Sequence, residues 1–190
     1  MNKKNHKIFN LAVGISVAIP SFLFTQYEFF HILIGLYILW QFAMLPDFDQ
    51  NISFFNHRGV SHTFIFAFGV GVFSYYGVYY SHEFINQYTN MTTIGTESWA
   101  ILISTSIAGA YTLHIIGDML TKGGGFSVKP FWPLSSWNGS IGSLKYNSNW
   151  FDVFTKFLLL LSVVFVLIVL DYSNVINIVD PVSKNLNRWL

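Results

Sequence analysis

An all-α, polytopic membrane bundle of about five transmembrane helices is the fold class this sequence predicts, and three observations predict it. Of its 190 residues 53% are hydrophobic and only 10% charged, whereas a soluble domain carries about 25% charged residues to wet its surface. The few charges leave gaps of membrane-spanning length. The Lys and Arg residues also fall in alternate loops, as they do in multi-pass proteins.

The first gap runs from Lys7 to Glu28. Its uncharged stretch, 8–27, supplies the roughly 20 residues needed to cross a hydrocarbon core of about 30 Å. The stretch is similar in outline to a secretory signal but lacks a small-residue cleavage site, so it is read as helix one. Helices two, three and four follow over 29–46, 59–82 and 98–117, each free of interior charge because an ionised side chain at mid-bilayer is expensive. The run FLLLLSVVFVLIVL is short, but it reaches spanning length over 153–170 if Lys156 snorkels to the interface. The chain therefore reads as a single integral membrane domain, 1–190, with one long loop, 119–152. That loop is rich in Gly, Ser, Pro, Trp and Asn, and loops of such length in compact proteins are usually functional.

Lys3, Lys4 and Lys7 precede helix one, Arg58 lies between helices two and three, and Lys122, Lys129, Lys145 and Lys156 lie between helices four and five. The opposite loops carry Glu28, Glu83 and Glu97. The positive-inside rule then places the N-terminus in the cytoplasm and the tail after Leu170 outside. A formal net charge of +1 gives no electrostatic basis for nucleic-acid binding. With no cysteine there is no disulfide framework and no thiolate site, so a metal would have to sit on His, Asp or Glu.

The polar residues converge. His6 precedes helix one, Asp47 and Asp49 follow helix two in LPDFD, His57 and His62 open helix three in HRGVSH, and His114 and Asp118 close helix four in HIIGD. All fall on the predicted cytoplasmic side, delivered by four separate segments to one membrane level. His114 and Asp118 stand at i and i+4, on one helical face. Pro46 disfavours helix at Leu45, so the two carboxylates of LPDFD leave helix two as the chain turns. Gly59 would let the backbone bend between His57 and His62. Imidazole and carboxylate donors without sulfur suit Zn, Mn or Fe. His31 and His82, at the opposite face, are read as hydrogen-bonding to neighbouring helices.

In order and spacing, LPDFD, HRGVSH, HIIGDMLT, the Gly-rich stretch after it and KPFWPL, with a His before the first helix, resemble the YdjM-like inner-membrane metal-dependent hydrolases. That family is in turn similar to zinc-dependent phospholipase C and P1 nuclease, helical enzymes with clustered metals and an H-x-x-G-D helix motif. The resemblance implies a helical metal-site core like that of phospholipase C, with His6, Asp47, His62, His114 and Asp118 as ligands, Asp49 as a further ligand or a base, and Asp118 as a bridge between metals. The extra His/Glu set of the soluble three-metal enzymes has no counterpart, which implies two divalent ions, Zn first, with Mn or Fe as alternatives. Phosphatidate-phosphatase, metalloprotease, rhomboid and P-loop motifs are missing.

The expected function is hydrolysis of a phosphoester in a lipid or other amphiphile at the cytoplasmic face, by water that the ions make acidic. Asp49 would orient or deprotonate that water, His57 would be a ligand or the leaving-group acid, and Arg58 would grip the phosphate. Lys129 and Gly123, Gly124 and Gly125 would belong to a flexible flap, with Phe126, Phe131 and Trp132 beside the substrate. Membrane lipid is thus both solvent and expected substrate. The alternative is a non-catalytic metal-binding membrane protein serving transport, sensing or structure.

Overall fold

A computed structural model describes residues 3–24, 29–51, 59–89, 95–122, 128–139, 141–142, 144–145 and 148–186. The expected positions His57, Arg58, Gly123 to Gly125 and Phe126 lie outside them. Five α-helices appear in order among the described residues: α1 (Lys3–Phe24), α2 (Phe29–Phe42), α3 (Phe64–Thr89), α4 (Thr96–Met119) and α5 (Asn149–Leu186). Two 3₁₀ turns, Leu45–Asn51 and Val60–His62, sit between α2 and α3. The long loop carries a two-residue parallel ladder, β1 (Thr121–Lys122) on β2 (Leu144–Lys145), with Thr121 opposite Leu144. Three stretches of the described residues, His31–Asp49, Phe64–Gln87 and Thr96–Met119, are long and apolar enough to cross a membrane.

Charge gaps located the helices but not their ends. α1 begins at Lys3, so His6 lies inside the helix, one turn in, instead of before it. α2 stops at Phe42, short of residue 46, because Pro46 has no N–H to continue an α-helix; it sits instead in the first turn of the 3₁₀ segment, where that donor is not missed. α3 opens at Phe64 instead of residue 59, because Thr63 is its N-cap: Thr63 Oγ1 accepts the Phe66 N–H at 3.1 Å and donates to the Val60 carbonyl at 2.9 Å. His62 therefore lies in the turn before α3. α5 is capped in the same way by Ser148, whose Oγ accepts the Phe151 N–H at 3.3 Å, and it runs beyond residue 170 to Leu186. Its 38 residues span about 57 Å, more than a bilayer needs. In its first turns Lys156 pairs with Asp152 at 2.5 Å, and this hydrogen bond holds the Asp152 carboxyl below the usual carboxylate range.

α4 is the central helix, packed by α3 on one side, by α2 on another, and by α1, which lies also against α2 and α5. Tyr111, Ile115 and Met119 of α4 form one apolar cluster with Ala67 of α3 and Val128 of the long loop. Leu113, Ile116 and Leu120 face a second cluster built on Phe9 of α1 and Phe151 of α5. Gly71 of α3 meets α4 so closely that a Cβ there would come within 2.9 Å of Ala108. Such small-residue contacts let helices associate where the solvent is itself apolar. The outer face of α3 leaves Phe68, Phe73, Tyr76, Tyr80 and Phe84 exposed, a surface that suits lipid.

The long loop is folded onto one end of this bundle. The Phe64 N–H donates to the Pro130 carbonyl at 2.9 Å, Gly139 N–H to Val128 at 2.8 Å, and the Ile141 and Gly142 N–H groups to Met119 at 2.8 and 3.1 Å. Gly142 lies so close to the Leu120 backbone that any side chain would collide with it. The loop thus closes against the start of α3 and the end of α4, where the polar residues gather.

Candidate metal centre

His114 and Asp118 lie one turn apart on the last two turns of α4 and are both buried. The His114 Nδ1 lies 2.7 Å from the Ala43 carbonyl, which is left free where α2 ends. A carbonyl only accepts, so Nδ1 carries the proton and the lone pair of a neutral ring sits on Nε2. That Nε2 is buried with no hydrogen-bond partner among the described residues, 3.5 Å from Asp47 Oδ1 and 3.5 Å from Asp118 Oδ2.

His62 is gripped between the two carboxylates of LPDFD. In a 3₁₀ segment residues two apart point to different sides, and Asp47 and Asp49 divide accordingly. Asp49 Oδ2 lies 3.3 Å from His62 Nδ1 and accepts the Ser61 hydroxyl at 2.5 Å. Asp47 Oδ1 lies 3.6 Å from His62 Nε2, as does Asp118 Oδ2. Ser61 is fixed from behind by Tyr111 of α4, whose hydroxyl donates to the Ser61 carbonyl at 2.5 Å. Such a carboxylate on the outer nitrogen sets the tautomer and aim of a ligating imidazole.

From α1 comes His6, buried like its neighbour Asn5 and like Asn10, whose side-chain amide donates to the Ala110 carbonyl at 2.9 Å and docks α1 on α4. The His6 ring stacks on that of His114 with centroids 3.8 Å apart and planes 6° from parallel. Its Nε2 lies 3.2 Å from Asp118 Oδ1, the oxygen turned away from His62 and His114, and its Nδ1 is buried with no hydrogen-bond partner among the described residues.

The N···O separations around His62, His114, Asp47 and Asp118, 3.5–3.6 Å, exceed the roughly 2.7–3.2 Å of a good hydrogen bond. They are close to the spacing of about 3.3–3.4 Å expected between ligands of one tetrahedral ion bound at about 2.0–2.1 Å. Two groups of donor atoms lie within 4.8 Å of one another, His6 with His114 and Asp118, and Asp47 with His62 and His114. These buried groups can hold a metal ion. A model of a family described as YdjM inner membrane protein matches residues 1–177. The chain belongs to that family. With three stretches apolar enough to cross a bilayer, it is a membrane protein of an inner-membrane family. No curated protein and no solved structure matches the chain.

The structure thus brings together His6, Asp47, His62, His114 and Asp118. Asp49 stands apart, on the outer nitrogen of His62. His31 and His82 lie away from the centre: His31 meets Trp99 edge-on at 5.1 Å, and His82 Nδ1 lies 3.0 Å from Thr96 Oγ1 and 3.2 Å from Asn86 Nδ2, tying the end of α3 to the start of α4. Phe131 meets Phe64 edge-on at 5.4 Å, where the loop covers this end of the bundle. Sequence reading missed Ser61, Tyr111 and the Ala43 carbonyl. A signal for Tyr111 was present, since positions 111, 114 and 118 stand at i, i+3 and i+7 on one face of the helix.

Proposed function

We propose that this chain is a membrane-embedded hydrolase that uses water to cleave a phosphoester of a lipid or similar amphiphile at the cytoplasmic face, and that Asp47, His62, His114 and Asp118 would hold one divalent ion for that reaction. The observation that carries this reading is the convergence of Asp47, His62, His114 and Asp118 from three chain segments at ligand spacing, with a His114 Nε2 that has no hydrogen-bond partner among the described residues. An ion bound there would polarise a phosphoryl oxygen and lower the pKa of a water towards neutrality. Nitrogen and oxygen donors without sulfur favour Zn, Mn or Fe over Cu(I).

The chain's own residues divide the work. The Ala43 carbonyl and Asp49 hold the two rings so that both Nε2 atoms lie 3.5–3.6 Å from Asp47 Oδ1 and Asp118 Oδ2, where they would ligate an ion, which makes Asp49 a positioning residue and not a base. Asp118 presents one oxygen to His62 and His114 and keeps the other on His6. The two donor groups share His114, and a neutral imidazole has one lone pair to give, so the described residues favour one ion over the two that family likeness implies. The likeness of HIIGD to the motif of zinc-dependent phospholipase C and P1 nuclease supports hydrolysis as the use of that ion. A transporter would keep its ionisable groups near mid-bilayer on a path open to both sides; a cluster confined to one end of the bundle favours an enzyme.

Hydrolysis of radiolabelled lipid phosphoesters by the purified protein in mixed micelles tests the proposal. Turnover that depends on added Zn or Mn and falls on the order of a hundredfold or more in Asp118→Ala is expected. Equal turnover by both proteins, or none by a wild type loaded with metal, would leave a non-catalytic metal protein instead.

A further inference from the structure

A groove of about 530 Å³ opens beside the candidate centre, within the roughly 300–1,000 Å³ of small-molecule sites. Lys3, Lys4 and Lys7, all from the start of α1, line it together with Trp40, Met44 and Phe48 from the end of α2 and the turn after it. Lys7 Nζ sits 5.5 Å from the centre of the Trp40 ring, a cation–π distance that fixes this ammonium beside the apolar part. The remaining lining residue is Asp47.

Asp47 is what joins groove to centre. Its side chain is 17% exposed, whereas those of His62, His114 and Asp118 are 0–1% exposed. Of these donors Asp47 alone meets the outside, and what it meets is the groove. A ligand reaching the centre from this side must pass three cationic side chains and lie on an apolar surface. Among the described residues three lysines face one acidic lining residue, Asp47, which also faces His62 and His114, and Asp152 of α5 acts electrostatically on Lys4, so the lining keeps a net positive charge.

We infer that this groove is the headgroup subsite of the hydrolase, and that it selects membrane lipids with anionic headgroups over zwitterionic ones. The inference rests on the proposed function for what happens after binding, but not for binding itself. The occupant must combine negative charge, for the lysines, with apolar bulk, for Trp40, Met44 and Phe48. An anionic lipid has both, whereas a free phosphate has only the first. Placed there, its phosphate lies at the Asp47 wall, next to the centre, and its acyl chains remain on the lipid side of α2.

The test is native mass spectrometry of the full-length protein in detergent, offered phosphatidylglycerol and phosphatidylcholine in equal amounts. Expected is at least a tenfold preference for the anionic lipid, lost in K3Q/K4Q/K7Q and retained in K3R/K4R/K7R, with metal content unchanged in both. Inorganic phosphate and glycerol 3-phosphate should fail to displace the bound lipid at millimolar concentration. In His114→Ala, which removes a donor of the centre but nothing from the groove, the preference should persist, so failure of the metal reading is distinguished from failure of this one. No preference in the wild type, a preference unchanged by K3Q/K4Q/K7Q, or displacement by free phosphate would each overturn the inference.

Discussion

His62 and His114 are each held by the far nitrogen of the ring, and that is where single substitutions should act without touching a donor. Asp49 lies 3.3 Å from His62 Nδ1 and takes no place among the convergent atoms. Asp49→Ala should therefore weaken metal affinity by about 10–100-fold, the usual effect of losing an outer partner of a ligating histidine. Competition against a fluorescent chelator measures it, and an unchanged affinity would show that His62 needs no such support. Tyr111→Phe removes the donor to the Ser61 carbonyl and should cost about 1–2 kcal/mol in unfolding free energy, the order of one buried hydrogen bond. The donors themselves were legible because charged and imidazole groups stand out in a chain with so few of them. Ser61, Tyr111 and the Ala43 carbonyl were not, because a hydroxyl or a backbone oxygen gains its role only from what the fold sets against it.

Helix identity was readable and helix ends were not, for a physical reason. Charge gaps mark where the chain leaves hydrocarbon, whereas a helix stops where its hydrogen bonds are capped. Thr63 and Ser148 supply those caps at α3 and α5, and Pro46 forces the change from α2 to the 3₁₀ turn that parts Asp47 from Asp49. Thr63→Ala should destabilise the start of α3 by about 1 kcal/mol, seen as faster hydrogen exchange at Phe64, Ile65 and Phe66. Because the capping residue directly follows His62, the same variant should also loosen metal binding; retention of both properties would mean that the cap is not what fixes this turn. In the long loop, Gly142→Ala has no room beside Leu120. It should lower thermal stability more than Thr63→Ala does, since here backbone must move.

At the scale of the whole molecule, α4 links everything, one face on α3 and the loop, another on α1 and α5, and a third carrying His114 and Asp118. The polar centre therefore joins four segments whose apolar surfaces, in a bilayer, gain little from meeting one another. An ion bound there should act as a staple. Saturation at about a hundred times the dissociation constant would stabilise the fold by about 2.7 kcal/mol, and stripping the protein with a chelator should lower Tm by several degrees. The same convergence makes metal content the most direct measurement of all. Elemental analysis of the purified protein after dialysis against Zn or Mn should find one ion per chain, lost from His114→Ala under the same dialysis. A wild type without stoichiometric metal, or a His114→Ala protein that keeps it, would contradict the account.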